Sequence, residues 1–127
     1  MKIFGIGIDV IEVERIEEAV EEFGDRFLER IFTAGERAYC GRQKRPAIHY
    51  AARWAAKEAV SKAFGTGIGE KLGWQDMEVC RRESGEPELV LHGRGEAFAE
   101  ENGIQQVKIS LTHAKNYAAA NAVVLWE

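Results

Sequence analysis

Cysteine is scarce in this chain, long apolar runs are missing, and there is no excess of positive charge. Only two of the 127 residues are cysteines, Cys40 and Cys80, far apart and without a CxxC pair or clustered histidines. A disulfide framework or zinc ribbon is thereby excluded as the organising element, and a reducing, cytoplasmic setting is expected. The longest apolar stretch, Ala118 to Trp126, is interrupted by Asn121. It falls well short of the ~20 residues that cross a bilayer. No charged n-region with an apolar core and cleavage site is found either, so no membrane association and no export are expected. The formal net charge of -4 argues against a nucleic-acid partner, because phosphate contacts demand a basic surface. Several catalytic fingerprints are also missing. There is no G-x-S-x-G elbow and no Walker lysine spacing, and Gly5-Ile6-Gly7 lacks the third glycine of a dinucleotide loop.

What remains is a chain 46% hydrophobic and 30% charged, ordinary for a globular domain. Its length suits one domain, residues 1–127, able to bury roughly two-thirds of the surface its unfolded form exposes. Basic residues cluster at Arg42 to Arg45 and at Arg53 to Lys62. Such local clusters in an acidic protein suit a small phosphorylated ligand.

The hydrophobic pattern gives a coarse secondary structure. Phe4, Ile6, Ile8 and Val10 alternate with Gly5, Gly7 and Asp9, predicting a strand over 3–10 with one face stripped of bulk until Asp9. Ile11, Val13, Ile16, Val20 and Phe23 predict a helix ending at Gly24, with a second segment over 25–32. Thr33-Ala34-Gly35-Glu36 has the form of a capping box opening a third helix over about 35–40. After Pro46 comes an alanine-rich helix over about 47–64. On it Trp54, Glu58, Ser61 and Lys62 share a face that reads as polar and available. Ala52, Ala56, Ala59 and Ala63 form another, roughly 130° around, that reads as buried. Strands over 74–81 and 88–92 follow, then a helix over 94–101 and strands over 107–112 and 117–125. The expected class is α+β, an N-terminal strand and helices followed by two antiparallel hairpins.

Chemistry concentrates in few residues. Asp9 lies at or just past the end of a strand that reads as buried, where a carboxylate is costly unless paired or bound to a cation; it could equally N-cap the next helix. Glu58 could be an i,i+4 partner of Lys62. Two carboxylates with open positions for water and phosphate oxygens are also the usual way proteins hold Mg²⁺. Gly65-Thr66-Gly67-Ile68-Gly69 could expose backbone N–H groups to an anion, or Gly65 could simply close the helix. Ser110-Leu111-Thr112-His113 ends a strand just before a turn, and His113 is either an ordinary polar residue or a phosphate ligand. His49 and His92 have no recognisable partner.

These segments, taken together, resemble the holo-acyl-carrier-protein synthase family of 4′-phosphopantetheinyl transferases. The likeness is carried by Gly5-Ile6-Gly7-Ile8-Asp9-Val10, Phe32-Thr33 with Glu36, Ala51-Ala52-Arg53-Trp54-Ala55-Ala56-Lys57-Glu58-Ala59, Ser61 to Gly67, and Ile109 to His113. The resemblance implies transfer of phosphopantetheine from coenzyme A to a serine of apo acyl carrier protein, in support of fatty acid biosynthesis. It also implies a homotrimer with active sites between subunits. Asp9 and Glu58 match the family's Mg²⁺ ligands, Lys62 the lysine near the reacting phosphates, and Thr112 with His113 the coenzyme A pair contributed across the interface. Arg53, Lys44, Arg45, Gly65, Thr66 and Gly67 lie where further coenzyme A contacts are implied. On an ideal helix Arg53 points away from Glu58, so a shared ligand would bridge two subunits. The serine proton would go to Glu58, to Glu36 or to a metal-bound water. Trp54 stands where phenylalanine is usual. The carrier-docking first helix keeps Arg15 and Arg26, but Glu17, Glu18, Glu21 and Glu22 make it markedly acidic.

Overall fold

The N-terminal strand turns its bare side inward. In the computed structural model, which describes residues 1–127, β1 (Lys2–Glu12) lies across α4 (Pro46–Phe64). Gly5 and Gly7 sit directly against the helix backbone, where a Cβ would collide with the carbonyl oxygens of Ala63 and Ala59. The bulky residues Ile6, Ile8 and Val10 face away and are 69%, 70% and 64% exposed. Phe4 leaves that face at an irregularity between Ile3 and Gly5 and packs edge-on against Phe98 and Trp126. Glycine on the strand and alanine on the helix let two backbones approach closely, so the side that looks empty in sequence is the packed one. Gly7→Ala is expected to lower stability by about 1–3 kcal/mol or more, because the obstacle is backbone rather than a movable side chain. Urea unfolding measures it.

The strand continues through Asp9 to Glu12, which corrects the expected strand end. Glu12, not Asp9, precedes α1 (Val13–Phe23), and it makes no side-chain capping bond. Next come α2 (Asp25–Ile31) and α3 (Ala34–Gly41). The capping box at α3 is present: Glu36 N donates to Thr33 Oγ1 at 3.2 Å, and Thr33 N donates to Glu36 Oε1 at 2.9 Å. Beyond α4 the strand expected from Trp74 begins only at Met77. Residues Trp74–Asp76 form a 3-10 turn, held as Gly73 N donates to Asp76 Oδ2 at 2.7 Å. Strands β2 (Met77–Arg81) and β3 (Pro87–Leu91) make one hairpin, and α5 (Gly93–Asn102) leads to β4 (Ile104–His113) and β5 (Tyr117–Trp126).

The main sheet has the order β1-β5-β4, antiparallel throughout, and the β2-β3 hairpin is separate. Asp9, Ala120 and Leu111 stand side by side in register. Ala118, Ala120, Ala122 and Val124 of β5 are buried. Contact on nearly every side buries most of α4, including Arg53, Lys57 and Ser61. Ser61 therefore does not belong to an available polar face. It is fully buried, and its Oγ donates to the Glu58 carbonyl at 2.7 Å.

Candidate functional site

Two groups of charged side chains emerge from α4. The first joins Asp9 of β1 to Glu58 and Lys62. Because the glycine side of β1 lies under the helix, Asp9 is drawn beneath α4 and its side chain is only 17% exposed. Lys62 Nζ reaches across to Asp9 Oδ1 at 3.2 Å and the Ile8 carbonyl at 3.0 Å. It pairs with the strand instead of along the helix with Glu58. Burial pushes the Glu58 carboxyl above its usual range, the negative charge of Asp9 adds to this, and Lys62 partly opposes it. A carboxyl whose proton affinity is raised by burial and by a neighbouring carboxylate marks a place where added positive charge is favourable. Their hard oxygen donors are of the kind that fit Mg²⁺. No group of three or more His, Cys, Asp or Glu that could hold a metal ion occurs in the chain.

The raised Glu58 carboxyl has a consequence for stability. A group that binds its proton more tightly when folded stabilises the protein below its unfolded pKa, and that contribution is lost as pH rises through the folded value. Glu58→Gln should therefore melt above the wild type at neutral pH in chelator, with the gap closing in acid. Calorimetric scans across pH check this.

The glycine loop does not form an anion cradle. Gly65 adopts φ 81° as a left-handed helix cap, and its N–H donates to the Lys62 carbonyl at 3.0 Å. The Thr66 and Gly67 N–H groups both donate to the Ser61 carbonyl, at 3.2 and 3.1 Å, and Gly69 N–H donates to the Leu72 carbonyl at 2.9 Å. Thr66 Oγ1 donates to the Gly67 carbonyl. The amides of Gly65, Thr66 and Gly67 finish the helix and are already engaged.

On the other side of α4 lies the second group. Arg53 is 5% exposed, stacks at 4.5 Å over the Tyr39 ring and donates to the His49 carbonyl at 3.2 Å. The His49 and His113 rings are 5.4 Å apart. Thr112 is exposed, and Ser110 bonds Asn121 across the sheet at 2.7 Å. Arg45 holds the Lys115 carbonyl at 2.7 Å and Glu17 of α1 at 3.6 Å, while Lys44 is exposed. Of the residues singled out in sequence, Asp9, Glu58 and Lys62 are brought together, and Arg53 joins His113. About 140° of helix separates Arg53 from Glu58.

Glu36 is removed from the candidate bases. It is 1% exposed, accepts from Val79 N at 2.6 Å and pairs with Lys57 at 2.8 Å. Lys57 also donates to the carbonyls of Ile31 at 2.8 Å and Trp74 at 3.0 Å. Sequence reasoning missed Lys57, Tyr39, His49 and Arg81. Lys57 follows Tyr50 by seven residues and Arg53 by four, a spacing that marks one helix side, but a lysine there reads as solvated.

Residues 5–122 match the 4′-phosphopantetheinyl transferase superfamily. A holo-[acyl-carrier-protein] synthase of Chlamydia trachomatis is 48% identical over 94% of this chain and 98% of its own length. One of Moorella thermoacetica is 46% identical over 93% and 91%. Among solved structures, the Neisseria meningitidis synthase superposes with a TM-score of 0.92 at 31% identity, covering 98% of this chain and 99% of its own. The Helicobacter pylori synthase in complex with coenzyme A gives 0.85 at 32% identity, covering 94% and 99%. With likeness over nearly the whole length in both sequence and fold, this chain belongs to the holo-[acyl-carrier-protein] synthase family of 4′-phosphopantetheinyl transferases.

Proposed function

We propose that this protein moves 4′-phosphopantetheine from coenzyme A to a serine hydroxyl of an apo acyl carrier protein, releasing adenosine 3′,5′-bisphosphate, with Mg²⁺ as cofactor. The observation that carries the proposal is the meeting of Asp9, Glu58 and Lys62 in a chain of this family. A diphosphate resists attack by a neutral hydroxyl because its own charge repels the oxygen and must grow further on the leaving group. Mg²⁺ bound by Asp9 and Glu58 would supply charge neutralisation there. Lys62 stabilises the departing bisphosphate. With Glu36 enclosed against Lys57, Glu58 is the remaining side chain among the candidates to accept the serine proton. Arg53, Thr112 and His113 hold the donor seated on a neighbouring subunit. Lys44, Arg45 and the surface of Gly65 to Gly67 line its entry.

The subunit is a single domain, and three assemble into the working enzyme. The exposed Ile6, Ile8 and Val10 support this, because such an apolar stripe is costly in water. The separation of the two charged groups around α4 supports it as well. The carrier docks through Arg15 of α1 and Arg26, which the structure places on α2 and not on the first helix, and the enzyme serves fatty acid synthesis in the cytoplasm.

The test is to incubate the protein with coenzyme A, Mg²⁺ and an apo carrier and weigh the carrier by mass spectrometry. A gain of one phosphopantetheine is expected. An unchanged carrier, with coenzyme A still bound, would make the protein a coenzyme A binding module instead.

A further inference from the structure

The strap from Gly65 to Gly73 joins the end of α4, where Lys62 stands, to the Trp74 turn, and its two ends are held more firmly than its middle. At the start, the Ser61 and Lys62 carbonyls take the amides of residues 65–67. At the far end, Lys57 holds the Trp74 carbonyl at 3.0 Å, and Gln75 Nε2 donates to the carbonyls of Glu29 at 2.8 Å and Phe32 at 2.9 Å. Between Gly67 and Gly73 the strap makes one backbone bond of its own, from Gly69 N to the Leu72 carbonyl. Its tip, Glu70 and Lys71, is exposed, and a cavity of about 380 Å³ opens between it and Phe98 and Glu101 of α5. One hydrogen bond crosses that gap: Arg94 Nη1 donates to the Glu70 carbonyl at 2.6 Å.

Arg94 is poorly placed for its own helix. It sits in the first turn of α5, where the helix dipole disfavours a cation, and His92 before it makes no side-chain capping bond. Asp76 supplies what is missing. Its carboxylate, 13% exposed, accepts from Arg94 N at 3.3 Å, Arg94 Nε at 2.9 Å and Gly73 N at 2.7 Å. Three glycines clear the room for this pair. A Cβ at Gly73 would run into the Arg94 guanidinium, one at Gly93 into the Asp76 carboxylate, and one at Gly95 into the Asp76 carbonyl. Glycine within a helix costs stability relative to alanine, so the sequence gives up some strength in α5 to let the two residues meet.

We propose that Asp76 and Arg94 are positioning residues for the donor, a clamp that keeps the strap Gly65–Gly73 in the shape that receives coenzyme A beside Lys62. The proposal rests on the transfer reading above, which puts the surface of Gly65 to Gly67 at the donor's entry. Both residues act through the strap. A segment rich in glycine has more conformational freedom to lose than ordinary chain. Unclamped, it holds the receptive shape for only a fraction of the time, and the apparent affinity for the donor falls by that fraction. Once the donor is seated, the strap is ordered with or without the clamp, so the chemical step is spared.

The experiment uses the full chain and one apo carrier. The Arg94 side chain is 56% exposed, so Arg94→Ala leaves the core intact. It should raise the KM for coenzyme A about tenfold, the effect of one charge-assisted hydrogen bond, with kcat and the KM of the carrier unchanged. Arg94→Lys offers one nitrogen where the guanidinium offers Nε to Asp76 and Nη1 to Glu70, and should keep most of that rise. Trypsin reads the strap directly. Cleavage after Lys71, followed by mass spectrometry, should be about tenfold faster in Arg94→Ala, and with coenzyme A bound the two proteins should be cut equally slowly. Unchanged cleavage in Arg94→Ala would overturn the clamp, as would a loss in kcat alone or a rise confined to the KM of the carrier. Full rescue by Arg94→Lys would overturn it too, reducing the residue to a charge at the start of α5. A wild type that transfers nothing, yet binds coenzyme A about tenfold more tightly than Arg94→Ala by calorimetry, would sink the transfer reading and leave the clamp standing.

Discussion

Asp9→Ala and Glu58→Ala are each expected to keep the fold and lose about a hundredfold or more in kcat/KM at ordinary Mg²⁺, the scale of removing one preorganised stabiliser of transition-state charge. Neither carboxylate holds the core together. The Asp9 side chain makes its one hydrogen bond to Lys62, which keeps its bond to the Ile8 carbonyl. Glu58 is a net electrostatic burden on the folded state. A variant that melts no lower than wild type but barely turns over is the signature of a residue kept for chemistry. Lys62→Ala should reduce kcat more than it weakens coenzyme A binding, because its ammonium acts on charge that develops late. Wild-type turnover by either carboxylate variant at low Mg²⁺ would exclude that residue as a metal ligand.

Lys57→Met should be the most damaging single change to stability. Both members of the Glu36–Lys57 pair are wholly enclosed. Burial alone would drive the lysine to lose its proton, and Glu36 opposes this. Truncating the lysine strands a buried carboxylate and removes the donor to the carbonyls of Ile31 and Trp74. Breaking one side of such a pair costs about 3–5 kcal/mol, or roughly 10–20 °C in Tm for a domain of this size. The double variant Glu36→Gln/Lys57→Met should recover part of the loss, since no net charge is then left inside. Denaturant melts of the three proteins decide it, and an unchanged midpoint for Lys57→Met would show that the pair does not anchor α4. Because Lys57 points into the core, Glu58, the next residue around the helix, is turned toward Asp9.

Where sequence alone sufficed, the signal was local. The capping box at Thr33, the glycine closing α4, and the order of strands and helices follow from short-range chemistry and periodicity. The carboxylate pair was legible through the family motif. The inner face of β1 was not, because bulk normally signals burial, and here it is the absence of side chains at Gly5 and Gly7 that lets the helix in. The glycine loop was over-read for a similar reason: nothing in Gly65 to Gly69 reveals that the Ser61 carbonyl takes two of its amides. Arg81, His49 and Tyr39 come from three different elements, and only the tertiary fold shows that they meet Arg53 and His113.

The enclosure of Lys57 also makes it an internal clock. Every amine reagent in solution meets the other lysines first, whereas the Nζ at position 57 has no solvent contact and all three of its hydrogens engaged. Acylation there can proceed only when the junction of α2, α4 and the Trp74 turn comes apart. The rate at which peptide mapping finds that label would time the opening of the core in the intact enzyme, without any added probe.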